Sequence, residues 1–446
     1  MNINIKKGLD LKIAGKVEDM AVTEGNKPDV CAIYPDDFPG FVPKVCVKEG
    51  DEVAQGAPVL FDKIHTDVCL VSPVAGTVKA VVRGERRKIM RVEIETASQS
   101  ANTVAKCPDL NDRKAVAEWL GKTGMIARMR QRPYDIIPDP SDTPRDIFVT
   151  AMDSAPLSPG LMPQLGSDAK IAITKGVEII SHLTSGKVYI SHGNDWAMGD
   201  IAGAEMVAVE GPHPSGNVGV QIANIAPVNK GETVWCCDIV TVYKIGQLAT
   251  TGHIDTGTVV AVTGPEVKNP HLVRTTEGAR IGSITDGNLK DTDRHLRIIS
   301  GNVLTGVKVS TDDFLHFPYR QITVIDEGDD VGEFMGWASL SPQKMSTSRS
   351  FPGHFLRRLF RPDARMLGGR RAMIMSGEYD KVLPMDIMAE YLLKAIIAKD
   401  IDEMEKLGIY EVAPEDFALC EYVDTSKLPV QQIVRDGLDY LRKELQ

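Results

Sequence analysis

Three arginines alternate along one short stretch, Arg128, Arg130 and Arg132, and Tyr134 follows them across Pro133. Ile136 and Ile137 come directly after. A guanidinium donates hydrogen bonds from a rigid fork and stacks well on aromatic faces. Such donors beside a ring can hold a small planar ligand with carbonyl oxygens, a quinone head group for instance, or meet an acidic partner. A salt-bridged surface loop has the same composition, so both readings stay open.

A second basic tract runs from Arg349 to Arg371, with seven arginines against Asp363 alone. Phe351, Phe355, Leu356, Leu359 and Phe360 are interleaved with them. Arg349, Arg357, Arg358 and Arg361 are therefore candidates for docking onto a membrane subunit or lipid headgroups. The alternative is a bundle helix that buries the apolar residues while the arginine stems reach outward.

Other chemistry lacks its residues. No Gly-x-Gly-x-x-Gly turn is present, and Thr184-Ser185-Gly186-Lys187 lacks the first glycine of a phosphate loop, which falls at Ser181. No His-Glu-x-x-His or Gly-x-Ser-x-Gly occurs. His213, His253 and His271 are the histidines that folding could bring together. The seven cysteines, Cys31, Cys46, Cys69, Cys107, Cys236, Cys237 and Cys420, contain no Cys-x-x-Cys pair. This scatter predicts reduced thiols rather than an iron–sulfur framework. Gly211-Pro212-His213-Pro214-Ser215-Gly216 is read as a rigid turn beside a sheet.

The elements that would position these residues follow from the chain as a whole. Its 446 residues are too many for one ordinary core. A hydrophobic share of 43% with 25% charged residues is that of a folded protein, and a net charge of -10 argues against broad nucleic-acid binding. No stretch approaches the ~20 apolar residues of a spanning helix. The N-terminus lacks the apolar core of a signal peptide. Both point to a cytoplasmic chain that meets a membrane only through partners or a surface patch.

Residues 1–100 read as all-β. Within them, Glu49-Gly50-Asp51-Glu52-Val53 and Ser72-Pro73-Val74-Ala75-Gly76 look like the two halves of a lipoyl or biotinyl carrier barrel. The carrier lysine would fall near His65, and Lys63 is displaced from it, so the fold is expected without its swinging arm. Asn111 or Asp112 can cap a helix. DIFVTAM, AKIAITK, KVYISHG, EMVAVEG and ETVWCCDIVTVYKIG read as strands, with a helix near Lys175–Ser185, which predicts a Rossmann-like α/β domain over 101–252. Short strands return over 253–330, and 331–446 is expected to be helical. There, Ile387, Met388, Tyr391, Leu392 and Ala395 form one stripe, and Val430, Ile433, Val434, Leu438 and Leu441 another.

This order of modules resembles the flavin subunit of respiratory complex I. More closely, it resembles the family of the A-type peripheral subunits of bacterial sodium-translocating NADH:quinone oxidoreductases. The resemblance rests on Lys7-Gly8-Leu9-Asp10-Leu11, Ile13-Ala14-Gly15, Gly211–Gly216, Val303-Leu304-Thr305-Gly306 and Glu333-Phe334-Met335-Gly336-Trp337. Arg371-Ala372-Met373, Leu383-Pro384-Met385-Asp386-Ile387 and Asp416-Phe417-Ala418-Leu419-Cys420 continue it in order. It implies a lipoyl-like barrel-sandwich hybrid, a Rossmann-like domain, a β-grasp-like (SLBB) unit and a helical bundle. It also implies a peripheral subunit on the cytoplasmic face of the bacterial inner membrane, in a complex that reduces ubiquinone or menaquinone with NADH and pumps Na+. NADH, FAD, FMN, iron–sulfur and sodium chemistry would belong to the other subunits. Where flavin-bearing relatives cradle FMN with glycines, bulky residues fill Gly124–Pro133, so this chain is expected to hold no tight cofactor and to have no catalytic residue of its own. The contrasting reading is a free-standing soluble flavin- or nucleotide-binding oxidoreductase. Arg128, Arg130, Arg132 and Tyr134 are the quinone-proximal candidates.

Overall fold

The computed structural model describes residues 1–99, 101–290, 293–329, 332, 334–338, 340–347, 349 and 351–445. Glu333, in one of the family phrases, lies outside the described residues. Four sheets and a set of C-terminal helices make up the fold.

The barrel-sandwich unit is built from two sheets. One runs Val30–Ile33, Ile89–Thr96, Gly76–Arg83, Glu52–Val53; the other is Pro43–Val45, Pro58–Asp62, Cys69–Val71. Alternating valines and isoleucines close its core: Val59, Leu60, Val68, Leu70, Val78, Val92 and Ile94 are buried. Gly76 is required there, because a Cβ would stand 1.9 Å from the Glu95 carbonyl oxygen.

The α/β unit carries a six-stranded sheet in the order Asn2–Asn4, Glu205–Glu210, Val188–His192, Ile147–Thr150, Val234–Asp238, Arg130–Arg132. All pairs are parallel except the last, where Arg130–Arg132 is an antiparallel edge. Two strand expectations are corrected. AKIAITK is helical within Ala169–Ser181, because its buried positions Ala169, Ala172, Ile173, Gly176, Val177 and Ile180 recur with the period of a helix face. The run ETVWCCDIVTVYKIG divides at Asp238, whose Oδ1 accepts from the Thr241 amide at 2.7 Å and starts helix Ile239–Thr251. These two helices pack backbone to backbone: a Cβ on Gly246 would lie 1.8 Å from the Ala172 carbonyl oxygen.

The third unit is a mixed six-stranded sheet, Val307–Val309, Leu296–Ser300, Gln321–Asp326, Gly257–Thr263, His271–Thr276, Val22–Glu24. The N-terminal segment is thus shared. Asn2–Asn4 and Val22–Glu24 lie within the span read as the first unit, yet they hydrogen-bond into the second and third sheets.

Regular helices of the last region begin only at Tyr379–Val382. They continue through Ala389–Ala398, Ile401–Lys406, Ala418–Val423 and Val430–Leu445. Their apolar faces join Ile5, Val207, Val209 and Val220 in one core, so the bundle sits against the α/β sheet. Before Tyr379 the described residues carry only the short 3-10 turns Gly336–Ala338 and Pro352–Phe355. No described helix is long and apolar enough to cross a membrane.

Candidate functional site

In the α/β sheet the connections run one way from Ile147–Thr150 to Val188–His192 and the other way to Val234–Asp238. A doubly wound sheet binds ligands outside the carboxyl ends of its strands where that direction reverses. A cavity of about 500 Å³ lies there. Thr150, Met152, Asp153, Cys236, Cys237 and Asp238 supply its floor, and Arg128, Arg130 and Arg132 one wall. His213, Asn302, Tyr319, Arg320 and Glu415 also border it.

The three arginines are anchored within the protein, Arg132 buried and Arg128 and Arg130 half-buried. Arg128 and Lys244 share the Glu277 carboxylate: Arg128 Nη1 donates to Oε1 at 2.8 Å, and Lys244 Nζ to the same oxygen at 2.6 Å. Arg128 also stands over the Phe317 ring, 5.3 Å from its centroid. Burial alone would raise Glu277, but the two cations overcome it and hold its pKa at about 2. Lys244 is pulled below its ordinary value by burial. Next to them Arg320 Nη1 donates to Asp238 Oδ2 at 2.6 Å, which ties the third sheet to the floor of the cavity.

Arg130 is held by carbonyl oxygens: Ala127 and Met129, both at 3.1 Å, and Asp37 at 2.9 Å. Burial lowers its pKa. Arg132 is 1% exposed, and its guanidinium reaches Asp416 at 3.4 Å, Glu415 at 3.5 Å and Asp135 at 3.7 Å. Tyr134 does not line this cavity. It packs with the hydrophobic core of the helical bundle, and its carbonyl oxygen accepts from Arg435 Nη2 at 2.7 Å. The segment is therefore not a solvated surface loop but an edge strand followed by a turn, in which the arginines are anchored and the aromatic points to another core.

The Gly124–Pro133 stretch also differs from a phosphate cradle. Ile126, Ala127 and Met129 are fully buried. The Arg128 and Met129 amides are spent on the Met125 and Ile126 carbonyls. Thr184–Lys187 is likewise a turn, with the Lys187 amide donating to Asp146 Oδ1 at 2.9 Å.

The carrier-like hairpin is tied down at its tip. The Asp62 carboxylate accepts from the amides of Val42, Ile64 and His65. His65 Nδ1 lies 3.5 Å from Asp139, and Lys122 lies 3.6 Å from Asp67. Lys63 follows directly on strand Pro58–Asp62, while His65 stands further into the hairpin tip.

The Gly211–Gly216 loop forms a turn beside the sheet, clasps the N-terminal phrase, and borders the cavity through His213 and Gly216. Leu9 N donates to the His213 carbonyl at 2.7 Å, and His213 N donates to Asp10 Oδ1 at 2.9 Å. The His213 Nδ1 pairs with Ser154 Oγ at 3.0 Å, and burial lowers its pKa. His253 is exposed, and His271 hydrogen-bonds Asn269 and Asn288, so the three histidines occupy separate surroundings. Among the described residues no three His, Cys, Asp or Glu side chains are placed to hold a metal ion.

The second arginine tract has the opposite character. Arg349, Arg357, Arg358 and Arg361 are exposed, as are Phe355 at 68% and Leu359 at 63%. Arg358 Nη2 donates to the Pro342 carbonyl at 2.6 Å and to Gln343 Oε1 at 2.9 Å, and Arg361 pairs with Glu266 at 2.9 Å. Phe360 alone of the apolar set is deeply buried; its amide donates to the Lys12 carbonyl at 2.7 Å. The bundle-helix alternative is not what forms.

Sequence reasoning misses Asp37, Glu277, Arg320 and Glu415 as residues of the site. In the sequence Asp238 stands out only as an interruption of an apolar run.

Three family models match in chain order: an NqrA N-terminal barrel-sandwich hybrid domain over residues 3–97, an NqrA second alpha/beta domain over 111–254, and an NQRA C-terminal domain of SLBB type over 259–311. Similar curated proteins are named as the A-type subunit of a Na(+)-translocating NADH-quinone reductase. That of Pasteurella multocida is 36% identical over 99% of this chain and 100% of its own length. Those of Rhodopirellula baltica and Neisseria meningitidis are also 36% identical over 99% of this chain, covering 98% and 100% of their own. A chain of an NAD+-reducing [NiFe]-hydrogenase overlaps at TM-score 0.39 with 13% identity, covering 76% of this chain and 62% of that one, too loosely to carry an argument.

Proposed function

The chain belongs to the NqrA family, the A-type subunits of Na(+)-translocating NADH-quinone reductases, and from that premise we propose that it serves as a peripheral, cofactor-free subunit in the reduction of quinone by NADH. The other subunits of the complex are its partners. They would carry the flavins, the iron–sulfur centre and the sodium path, and would hold this chain at the cytoplasmic face of the membrane. In support, the segment that would cradle a flavin phosphate is packed with Ile126, Ala127 and Met129, and the carrier-like hairpin has its tip tied to the α/β unit.

The observation that carries the quinone reading is the cavity at the sheet's switch point, walled by Arg128, Arg130 and Arg132. Concave sites with a few convergent polar groups suit small ligands. Arg130 is the guanidinium suited to a quinone carbonyl, because its described partners are neutral carbonyl oxygens rather than a carboxylate. Tyr134 has no part in the contact, since it faces the bundle. A photoreactive quinone should label residues of this wall in the assembled complex, and excess quinone should compete the label away. Labelling confined to other subunits would leave the chain a scaffold. The exposed tract around Arg357 and Arg358 is the surface proposed to meet a membrane subunit. Pulldown from solubilised membranes with Arg357 and Arg358 changed to Glu tests it: normal co-purification would refute it.

A further inference from the structure

The wall of the cavity contains an electrostatic imbalance. Arg132 is the only cation within ion-pair distance of Asp416 and Glu415 among the described residues. The same guanidinium is 3.7 Å from Asp135, whose other cation, Arg435, stands at 3.9 Å. Arg132 Nε makes no hydrogen bond although its side chain is only 1% exposed. One guanidinium therefore faces three carboxylates, and in a low-dielectric wall it cannot neutralise all of them.

The three carboxylates are not equivalent. Burial raises the Asp416 carboxyl, but Arg132 at 3.4 Å and the Ala413 amide it accepts at 2.9 Å both favour its charged form. Asp135 has its second arginine. Glu415 has neither, and its carboxyl, 46% exposed, stands where the surface is the cavity's own wall. Arg130 from the edge strand, Cys236 from the neighbouring strand and Tyr319 from the third unit also face it.

We propose that the Glu415 carboxyl is the proton donor to a quinone bound in this cavity. The proposal deepens the quinone reading and rests on it. Reduction of a quinone takes up two electrons, which the complex delivers from NADH, and two protons. In one proton transfer the Glu415 O–H bond breaks and an O–H bond forms on a quinone oxygen. Glu415 serves the nearer oxygen and is reprotonated from solvent at the cavity mouth, while the far oxygen takes its proton from solvent, so quinone, two electrons and two protons give quinol. Although half exposed to the cavity, Glu415 is pushed up to about 7 by desolvation against the wall and by the neighbouring Asp416, against the pull of Arg132 and Arg130. It would thus be protonated on the acid side of neutrality and exchange readily near it.

The test uses the assembled complex with Glu415→Gln and Glu415→Asp. Glu415→Gln relieves repulsion among three clustered carboxylates and Glu415→Asp keeps the carboxylate on a side chain half exposed to the cavity, so both variants should fold. A general acid contributes a factor on the order of a hundred or more. Glu415→Gln should lower kcat by about a hundredfold with KM changed by less than about threefold, and should abolish the fall in kcat as pH rises through about 7. Glu415→Asp should restore part of kcat and a pH-dependent limb. A wild-type pH profile in Glu415→Gln, with photoreactive quinone still labelling the wall, would overturn the proton-donor role and leave the quinone site standing. Absence of label from the wild-type wall would overturn the site itself.

Discussion

The two arginine-rich tracts use the same residue type for opposite ends. In Arg128–Tyr134 each guanidinium is tied into the interior: Arg128 to Glu277, Arg130 to three carbonyl oxygens, Arg132 to a set of carboxylates. In Arg349–Arg371 the named arginines are exposed beside exposed Phe355 and Leu359. The first tract spends its charge on joining parts of one chain; the second leaves charge and apolar surface facing outward. Arginine content alone therefore says nothing of which role a segment plays. The partners that decide it lie far away in sequence: Glu277 is 149 residues from Arg128, and Asp416 is 284 from Arg132.

The contrast can be broken most forcefully at Glu277. Glu277→Gln leaves Arg128 and Lys244 buried side by side without their shared anion, and breaking such a buried pair costs about 3–5 kcal/mol. Urea denaturation of the full chain should read that loss; a change under about 1 kcal/mol would show that the inner tract is held by something else. The same carboxylate sets an acid signature. Its folded pKa of about 2 lies below its ordinary 4.5, so its contribution is complete above about 4.5 and is lost as pH falls toward 2. The stability gap between the wild type and Glu277→Gln should close over that window.

A smaller effect is expected at Arg130. Losing one charge-assisted hydrogen bond to a ligand costs about 1.5–3 kcal/mol, so Arg130→Ala should raise the KM for quinone about tenfold or more. Tyr134→Phe, whose ring faces the bundle, should leave it unchanged. The equal response of both variants would erase the distinction between cavity wall and bundle core. The smallest effect on the fold should come from the outer tract. Arg357→Glu with Arg358→Glu should shift stability by no more than about 0.5 kcal/mol while releasing the chain from its complex.

Much of the architecture is legible locally. Gly50 and Gly76 mark the barrel, the first because its turn takes a φ of +88° and the second because a Cβ would meet the Glu95 carbonyl, and Val430, Val434, Leu438 and Leu441 are buried along helix Val430–Leu445 as their spacing predicts. The stripe through Met388 and Tyr391 is only half right: those two are exposed, and Ala389, Leu393 and Ile396 take the inner face. Helix Ala389–Ala398 starts after Met388, which shifts the buried face by a fraction of a turn. The apolar run through Asp238 misleads because a continuous hydrophobic stretch lacks a period, and the cap inside it is easily overlooked. In the site, the arginines are visible in the sequence and their environment is not. Nothing near Arg132 in sequence announces that Glu415 and Asp416 will face it, and the sequence groups Tyr134 with the arginines by adjacency alone.

The shared N-terminal segment has a consequence for the order in which the chain is made. Strand Asn2–Asn4 finds its partner at Ala208–Glu210, and Val22–Glu24 finds its own at Leu272–Arg274. All the strands of the barrel lie between residues 30 and 96. A barrel emerging from the ribosome can thus close while the residues before it still wait, unpaired, for sheets that have not been synthesised. These residues, made before the barrel, are then among the last to be fixed, and their docking seams three units together.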